Sequence, residues 1–130
     1  MSILAGAPRG GVLEEVGGQR RPLLLKTEGI ETFEDTHRAI YEVYDGLFGR
    51  SAKPKSKEVR DLIALGLVGG GMPSVEADAI VEGFGPKDLP DLLKVAQAML
   101  GIAFHPDVED QLDDDVGEDD APEKPQANPS

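Results

Sequence analysis

Glycine and proline divide this chain into segments that are too short for a large fold. The 130 residues include 16 glycines and 10 prolines, and many lie in clusters such as Gly17-Gly18, Gly69-Gly70-Gly71 and Gly85-Pro86. Both residues disfavour the interior of helices and strands, so each cluster indicates an element boundary. The chain length agrees with this pattern, because one domain commonly takes about 100–200 residues. We therefore predict a single small domain made of short elements.

The first pair of glycines predicts a β-hairpin. Val12–Val16 and Arg20–Lys26 read as strands on either side of Gly17-Gly18, and Gly-Gly supplies the positive φ that a tight hairpin turn needs. Pro22 cannot donate to a strand ladder, which predicts that the second strand lies at a sheet edge.

The rest of the chain up to residue 105 has helical periodicity. Apolar side chains recur at steps of three and four, which is typical of amphipathic helices. The first such stretch, Ile30 to Phe48, is one helix or two short helices in series, and three further stretches follow it. The predicted fold class is mainly α with a short N-terminal β-hairpin (α+β), in which the hairpin precedes four to five helices. The stripes are Ile30, Phe33, His37, Ile40, Tyr41, Tyr44, Leu47 and Phe48; Val59, Leu62, Ile63 and Leu67; Ala77, Ile80, Val81 and Phe84; and Leu89, Leu92, Leu93, Ala96, Met99, Leu100, Ala103 and Phe104.

Charge is distributed unevenly and suggests three regions. Residues 1–104 carry 15 acidic and 12 basic side chains, whereas residues 105–130 carry 10 acidic side chains and only Lys124 as a base. Low hydrophobicity with high like charge is typical of disorder. We therefore predict a flexible N-terminus over 1–10, a folded domain over 11–105 and a disordered acidic tail over 106–130. The tail is a solvated charge run, or it keeps the protein soluble or screens a binding face.

The overall charge of −12 argues against several classes of partner. Phosphate backbones and anionic membrane surfaces both repel a net negative chain, so we expect no nucleic acid and no membrane as partner. A basic loop over residues 50–57, which contains Arg50, Lys53, Lys55 and Lys57, is the natural counterpart of the acidic tail. There is no cysteine, no apolar run near the roughly 18 residues that span a bilayer, and no secretory signal pattern at the start. These features predict a cytoplasmic location.

Residues that carry out chemistry are scarce. The two histidines, His37 and His105, are far apart and have no cysteine near them, so they predict no metal site. His37 lies on an apolar stripe and is expected to be a partly buried histidine with a backbone or carboxylate partner. Gly66–Pro73 lacks the Gly-Lys-Ser/Thr of a phosphate loop and is expected to be a structural joint. Asp113–Asp115 lack the calcium-loop pattern. We predict no catalytic, cofactor-binding or metal-binding residues, and no enzymatic activity.

The order of motifs resembles a known family. A hairpin with Gly17–Leu23 is followed by Ile-Glu-x-Phe-Glu at Ile30–Glu34, and then by Val59–Pro73, in which an Arg-Asp-Leu-Ile helix runs into Gly-Gly-Gly-Met-Pro before an Ala-rich terminal helix. Over roughly residues 11–104 this pattern is similar to the tail assembly chaperones of phages and gene transfer agents, also described as tail-tube-related proteins. The tail from Asp107 has no counterpart in the resemblance.

The resemblance implies a role in tail morphogenesis in the host bacterial cell, where such a chaperone binds the tape-measure protein and keeps it soluble. It implies no catalytic residues. One alternative is a structural tail-tube-associated component that is retained in the particle, and another is an acidic adaptor unrelated to phage. A spare apolar groove is expected to hold a helix of the partner, and it also makes self-association plausible. The same side chains are alternatively core residues. The candidate partner-binding residues are Ile40, Tyr41, Tyr44, Leu47, Phe48, Leu93, Leu100 and Phe104.

Overall fold

The computed structural model describes residues 7–105. The predicted acidic tail over 106–130 and residues 1–6 of the predicted flexible N-terminus lie outside this range. Within it the fold is mainly helical with a two-stranded N-terminal hairpin, as the sequence predicts. No helix in residues 7–105 is long and apolar enough to cross a membrane. The elements are β1 (Val12–Val16), β2 (Gln19–Leu23), α1 (Thr27–Thr36), α2 (Ile40–Leu47), α3 (Ser56–Gly69), α4 (Ser74–Glu82), a 3₁₀ turn (Pro86–Asp88) and α5 (Leu89–Phe104).

The hairpin forms because its two-residue loop has the conformation that antiparallel strands need. Gly17 and Gly18 have φ values of 66° and 85°, and Val16 pairs with Gln19 across them. Two central residues with positive φ match the right-handed twist of the strands. Pro22 stands opposite Leu13, and in a two-stranded sheet its missing N–H does not interrupt an inner ladder. The predicted edge position of the second strand is therefore confirmed.

β2 ends earlier than the sequence suggests. The prediction extends the strand to Lys26, but pairing stops at Leu23. The reason is a competing hydrogen bond: the Leu24 N–H donates to the Gly66 carbonyl oxygen at 3.0 Å. The backbone therefore leaves β1 and joins the C-terminal half of α3.

The glycines at the end of α3 allow this close approach of two backbones. A Cβ atom at Gly69 would overlap the Leu24 carbonyl oxygen, and one at Gly70 would overlap the Pro22 carbonyl oxygen. Only glycine permits such contact between a helix end and a strand. The segment Gly66–Pro73, predicted as a joint between helices, thus also forms the surface against which the hairpin packs.

The core is centred on α3, against which α1, α4, α5 and β2 all pack. Its largest fully buried side chains come from both strands and from α1, α2, α3 and α5, which agrees with one continuous core. These side chains are Phe33, Leu23, Leu62, Ile63, Leu67, Met99, Leu100, Val16 and Val43.

The long periodic stretch before residue 50 is two helices in series, which was one of the two predicted alternatives. The break follows Thr36, and the Glu34 carboxylate accepts the Ile40 N–H at 2.8 Å, which satisfies a free donor at the start of α2. At the next helix Ser56 is the first helical residue. Lys55 takes the N-cap position, and its N–H donates to the Glu58 carboxylate at 2.8 Å.

Candidate protein-binding surface

Four aromatic side chains lie together on the surface, where α2 meets the end of α5. We call Tyr41, Tyr44, Phe48 and Phe104 the aromatic patch. Tyr41 is 69% exposed and Phe48 is 42% exposed, whereas Tyr44 and Phe104 are half-buried beneath them. Exposed large apolar side chains that cluster are more informative than single ones, because clusters mark interaction surfaces.

Tyr44 is the centre of the aromatic patch. Its ring centroid lies 5.2 Å from that of Phe48 and 5.0 Å from that of Phe104, and the latter pair meets edge to face. Tyr41 stacks on the other side of Phe104 with a centroid distance of 5.4 Å. These are favourable aromatic geometries, so the rings hold one another in place before any partner arrives.

The two faces of α2 explain why the rings lie outside. Ile40, Val43 and Leu47 point into the core, and Tyr41 and Tyr44 lie on the remaining surface of the same helix. An ordinary amphipathic helix has polar side chains at such positions. α5 is fixed beside α2 by the Gln97 amide, which donates to the Leu47 carbonyl oxygen at 2.7 Å. This contact brings Phe104, at the last turn of α5, next to the rings of α2.

Two nitrogen-bearing side chains border the aromatic patch. The Arg50 guanidinium lies 5.5 Å from the Tyr44 ring centroid and 5.8 Å from that of Phe48, within the range of cation–π attraction. It also pairs with Asp45 at 3.3 Å. His105 Nε2 lies 2.9 Å from the Tyr44 hydroxyl. The patch therefore combines apolar rings with a hydroxyl, a cation and an imidazole at its edge.

The predicted partner-binding residues separate into two groups. Tyr41, Tyr44, Phe48 and Phe104 form the aromatic patch. Ile40, Leu47 and Leu100 are buried core side chains and are not accessible to a partner, and Leu93 is half-buried against that core. For the three buried residues the alternative role in the core applies.

Arg50 and His105 were not among the predicted partner-binding residues. Arg50 directly follows Gly49, which ends the α2 region. Its closeness in sequence to Tyr44 and Phe48 was therefore a signal that could have indicated its contact with the two rings. His105 is 61 positions from Tyr44, and only the tertiary fold brings the two together.

A second group of polar side chains lies between α1 and α3, and we call it the ion-pair cluster. Arg38 Nε donates to Glu58 Oε2 at 3.1 Å, and Arg38 Nη2 donates to the Ala52 carbonyl oxygen at 2.9 Å. His37 Nε2 lies 2.7 Å from Asp61 Oδ2, and its ring packs on Phe33 at 4.6 Å between centroids. The expected half-buried histidine with a carboxylate partner is thus confirmed.

Glu58 is the buried charge of the ion-pair cluster, with 4% exposure. Burial acts to raise the pKa of Glu58, but the Lys55 N–H and the Arg38 guanidinium outweigh it, so its pKa lies below the ordinary value. Each charged group here has its partner inside the fold. The arrangement therefore holds the link between α1 and α2 against α3 and against the segment that precedes α3.

A cleft of about 760 Å³ lies between the hairpin turn and the start of α5. Its rim carries acidic side chains such as Glu15 and Asp91 and basic ones such as Lys87 and Lys94, all of them exposed. A ligand site usually has a few convergent polar groups in an apolar enclosure. This open cleft with charges of both signs is a weaker candidate than the aromatic patch.

No group of three or more histidine, aspartate or glutamate side chains that could hold a metal ion occurs within residues 7–105. Comparisons of the chain with protein-family models, with curated proteins and with solved structures find no match.

Proposed function

We propose that this chain is a tail assembly chaperone of a phage or gene transfer agent, and that it binds the tape-measure protein during tail morphogenesis. The aromatic patch is the observation that carries the proposal. The resemblance in motif order from the hairpin to the terminal helix, described above, supports the choice of the tape-measure protein as the partner.

Aromatic rings suit a transient protein contact for physical reasons. Each ring can bury about 150–250 Å² and loses little conformational entropy, since it has only two rotatable bonds. Tyrosine and arginine are among the residues that dominate binding energy at interfaces. Because Tyr41 and Tyr44 both pack on Phe104, and Phe48 packs on Tyr44, a partner would find the surface preorganised.

The partner's chemistry follows from this surface. A long helical protein with an apolar stripe can lay that stripe across aromatic rings, as in other helix-in-groove contacts. Arg50, whose guanidinium lies over the Tyr44 and Phe48 rings, favours a helix with acidic residues beside its stripe. The net charge of −12 would keep the resulting complex soluble.

Co-expression with the tape-measure protein tests the proposal. We expect the wild-type chain to increase the soluble fraction of the tape-measure protein, and the Tyr41→Ser/Phe48→Ser variant to lose most of that effect. Val75→Ser is the matched control, because Val75 is 81% exposed but lies on α4, outside the patch. If the patch variant and the control keep equal activity, the patch is not the binding surface.

Particle composition separates the chaperone from the rival structural component. Mass spectrometry of purified particles should detect the major tail proteins and no stoichiometric amount of this chain. Its presence at a fixed copy number would instead assign it to the finished tail.

A further inference from the structure

The chain leaves the folded domain directly at the aromatic patch. α5 ends at Phe104, which belongs to the patch, and the next residue, His105, contacts the Tyr44 hydroxyl. Pro106 follows and has no N–H to continue the helical hydrogen bonds. The segment after Pro106 is therefore joined to the folded domain two residues after Phe104.

The charges of the following segment complement those beside the patch. Residues 107–120 contain nine acidic side chains and no basic one, whereas residues 50–57 contain four basic side chains and no acidic one. Arg50 and Lys57 pair with Asp45 and Asp61, but Lys53 and Lys55 have no ion pair within residues 7–105. Arg50 lies at the rings, and Lys53 and Lys55 follow it within five residues of chain, so the basic loop begins at the patch and carries two lysines without an ion pair in the described part of the chain.

The same segment also contains apolar residues at regular spacing. Val108, Leu112 and Val116 recur at steps of four with acidic residues between them. This spacing is typical of side chains that share one face of a helix. An apolar stripe bordered by carboxylates is the chemistry that suits rings bordered by the Arg50 guanidinium.

Attachment to the domain makes such a weak contact effective. Each exposed ion pair contributes only about 0–1 kcal/mol, but a short tether holds the segment at an effective concentration in the millimolar range. Ten residues extend at most about 35 Å, which is enough to cross a surface only a few helices wide.

We propose that residues 107–116 bind the aromatic patch and the basic loop of the same chain. Val108, Leu112 and Val116 contact the rings, and the carboxylates face Lys53, Lys55 and Arg50. The docking itself is independent of the partner. Its consequence, that a partner must displace this segment, rests on the proposed function.

A spin label tests the docking in the full-length protein without any partner. The chain has no cysteine, so Gln111→Cys gives a single labelling position. With a nitroxide at that position, we expect the NMR amide signals of Tyr41, Tyr44 and Arg50 to lose most of their intensity relative to the reduced label. The signal of Val75, exposed on another helix, should keep its intensity.

Two changes should reduce the loss of NMR signal that the spin label causes at the aromatic patch. Leu112→Asn removes the central apolar side chain, and raising the salt from about 0.1 M to about 1 M shortens the Debye length from about 10 Å to about 3 Å. Signal loss that is equal at Val75, or that survives both changes, would overturn the proposal. So would loss that appears when labelled chains are mixed with isotope-labelled, spin-free chains, because the segment would then bind a second copy. These results leave the co-expression test untouched, so either idea can fail alone.

Discussion

The ion-pair cluster and the aromatic patch differ in how far their side chains are satisfied within the fold. In the ion-pair cluster, Arg38, Glu58, His37 and Asp61 all find partners inside the fold. In the aromatic patch, Tyr41 and Phe48 contact other rings but leave much of their area in water. The first arrangement fixes the positions of α1 and α3. The exposed rings of the aromatic patch contribute little to fixing the positions of the helices, although their side chains are large.

This difference separates residues that stabilise the domain from residues that are available to a partner. A buried charge is costly unless it is paired, so the ion-pair cluster should be sensitive to any change. An exposed ring is already in contact with solvent, so its removal should leave the folded state nearly unaffected. The following predictions test whether the two regions differ in this way, from the largest effect to the smallest.

Arg38→Met should cost the domain the most. The variant keeps the apolar stem but leaves the Glu58 carboxylate buried without its cation, and breaking such a pair costs about 3 kcal/mol. Chemical denaturation of the full-length protein measures the free energy of unfolding. Arg60→Met is the matched control on α3, since Arg60 has no ion pair within residues 7–105, and it should change stability by less than about 0.5 kcal/mol. Equal losses of unfolding free energy in the two variants would show that the Arg38–Glu58 ion pair does not stabilise the domain.

The same pair should give a smaller, pH-dependent effect. The pKa of Glu58 is lowered in the folded state, so the unfolded chain takes up this proton first as the pH falls below the ordinary value of 4.5. The stability that Glu58 contributes is therefore fully present above pH 4.5 and is lost as the pH falls through the folded pKa. Denaturation curves of wild type and Glu58→Gln at several pH values should converge on acidification. A constant difference between the two would contradict the ionised pair.

Tyr41→Ser should have the smallest effect on stability, below about 1 kcal/mol, because the side chain is 69% exposed. Val43→Ala, two positions away on the buried face of α2, should cost more, about 1.5 kcal/mol from the lost methyl groups. Thermal unfolding of both variants gives the comparison. A larger loss of stability for Tyr41→Ser than for Val43→Ala would mean that the aromatic patch stabilises the folded domain.

Local patterns in the sequence predicted the elements well, because helix period, Gly-Gly turns and proline positions act within a few residues. The hairpin at Gly17-Gly18 is an example, whereas the periodicity from Ile30 to Phe48 left open whether that stretch is one helix or two. The end of β2 was wrong by three residues, since the Leu24 N–H is diverted to Gly66, a contact that no local pattern encodes.

Which side chains remain on the surface was harder to predict, because this too depends on tertiary contacts. The stripe from Ile40 to Phe48 contains both core residues and rings of the aromatic patch, and periodicity alone does not say which side α5 covers. Packing assigned Ile40 and Leu47 to the core and left Tyr41 and Phe48 exposed. The contact of His105 with Tyr44 likewise depends on where the last turn of α5 lies.

The central claim is that the aromatic patch is the surface that contacts another protein. An NMR titration of the full-length chain with a soluble helical segment of the tape-measure protein tests it most directly. We expect the largest amide shift changes at Tyr41, Tyr44, Phe48 and Phe104, with little change around His37 and Glu58. Changes concentrated at the hairpin cleft or the ion-pair cluster, or no change at any concentration, would contradict the account.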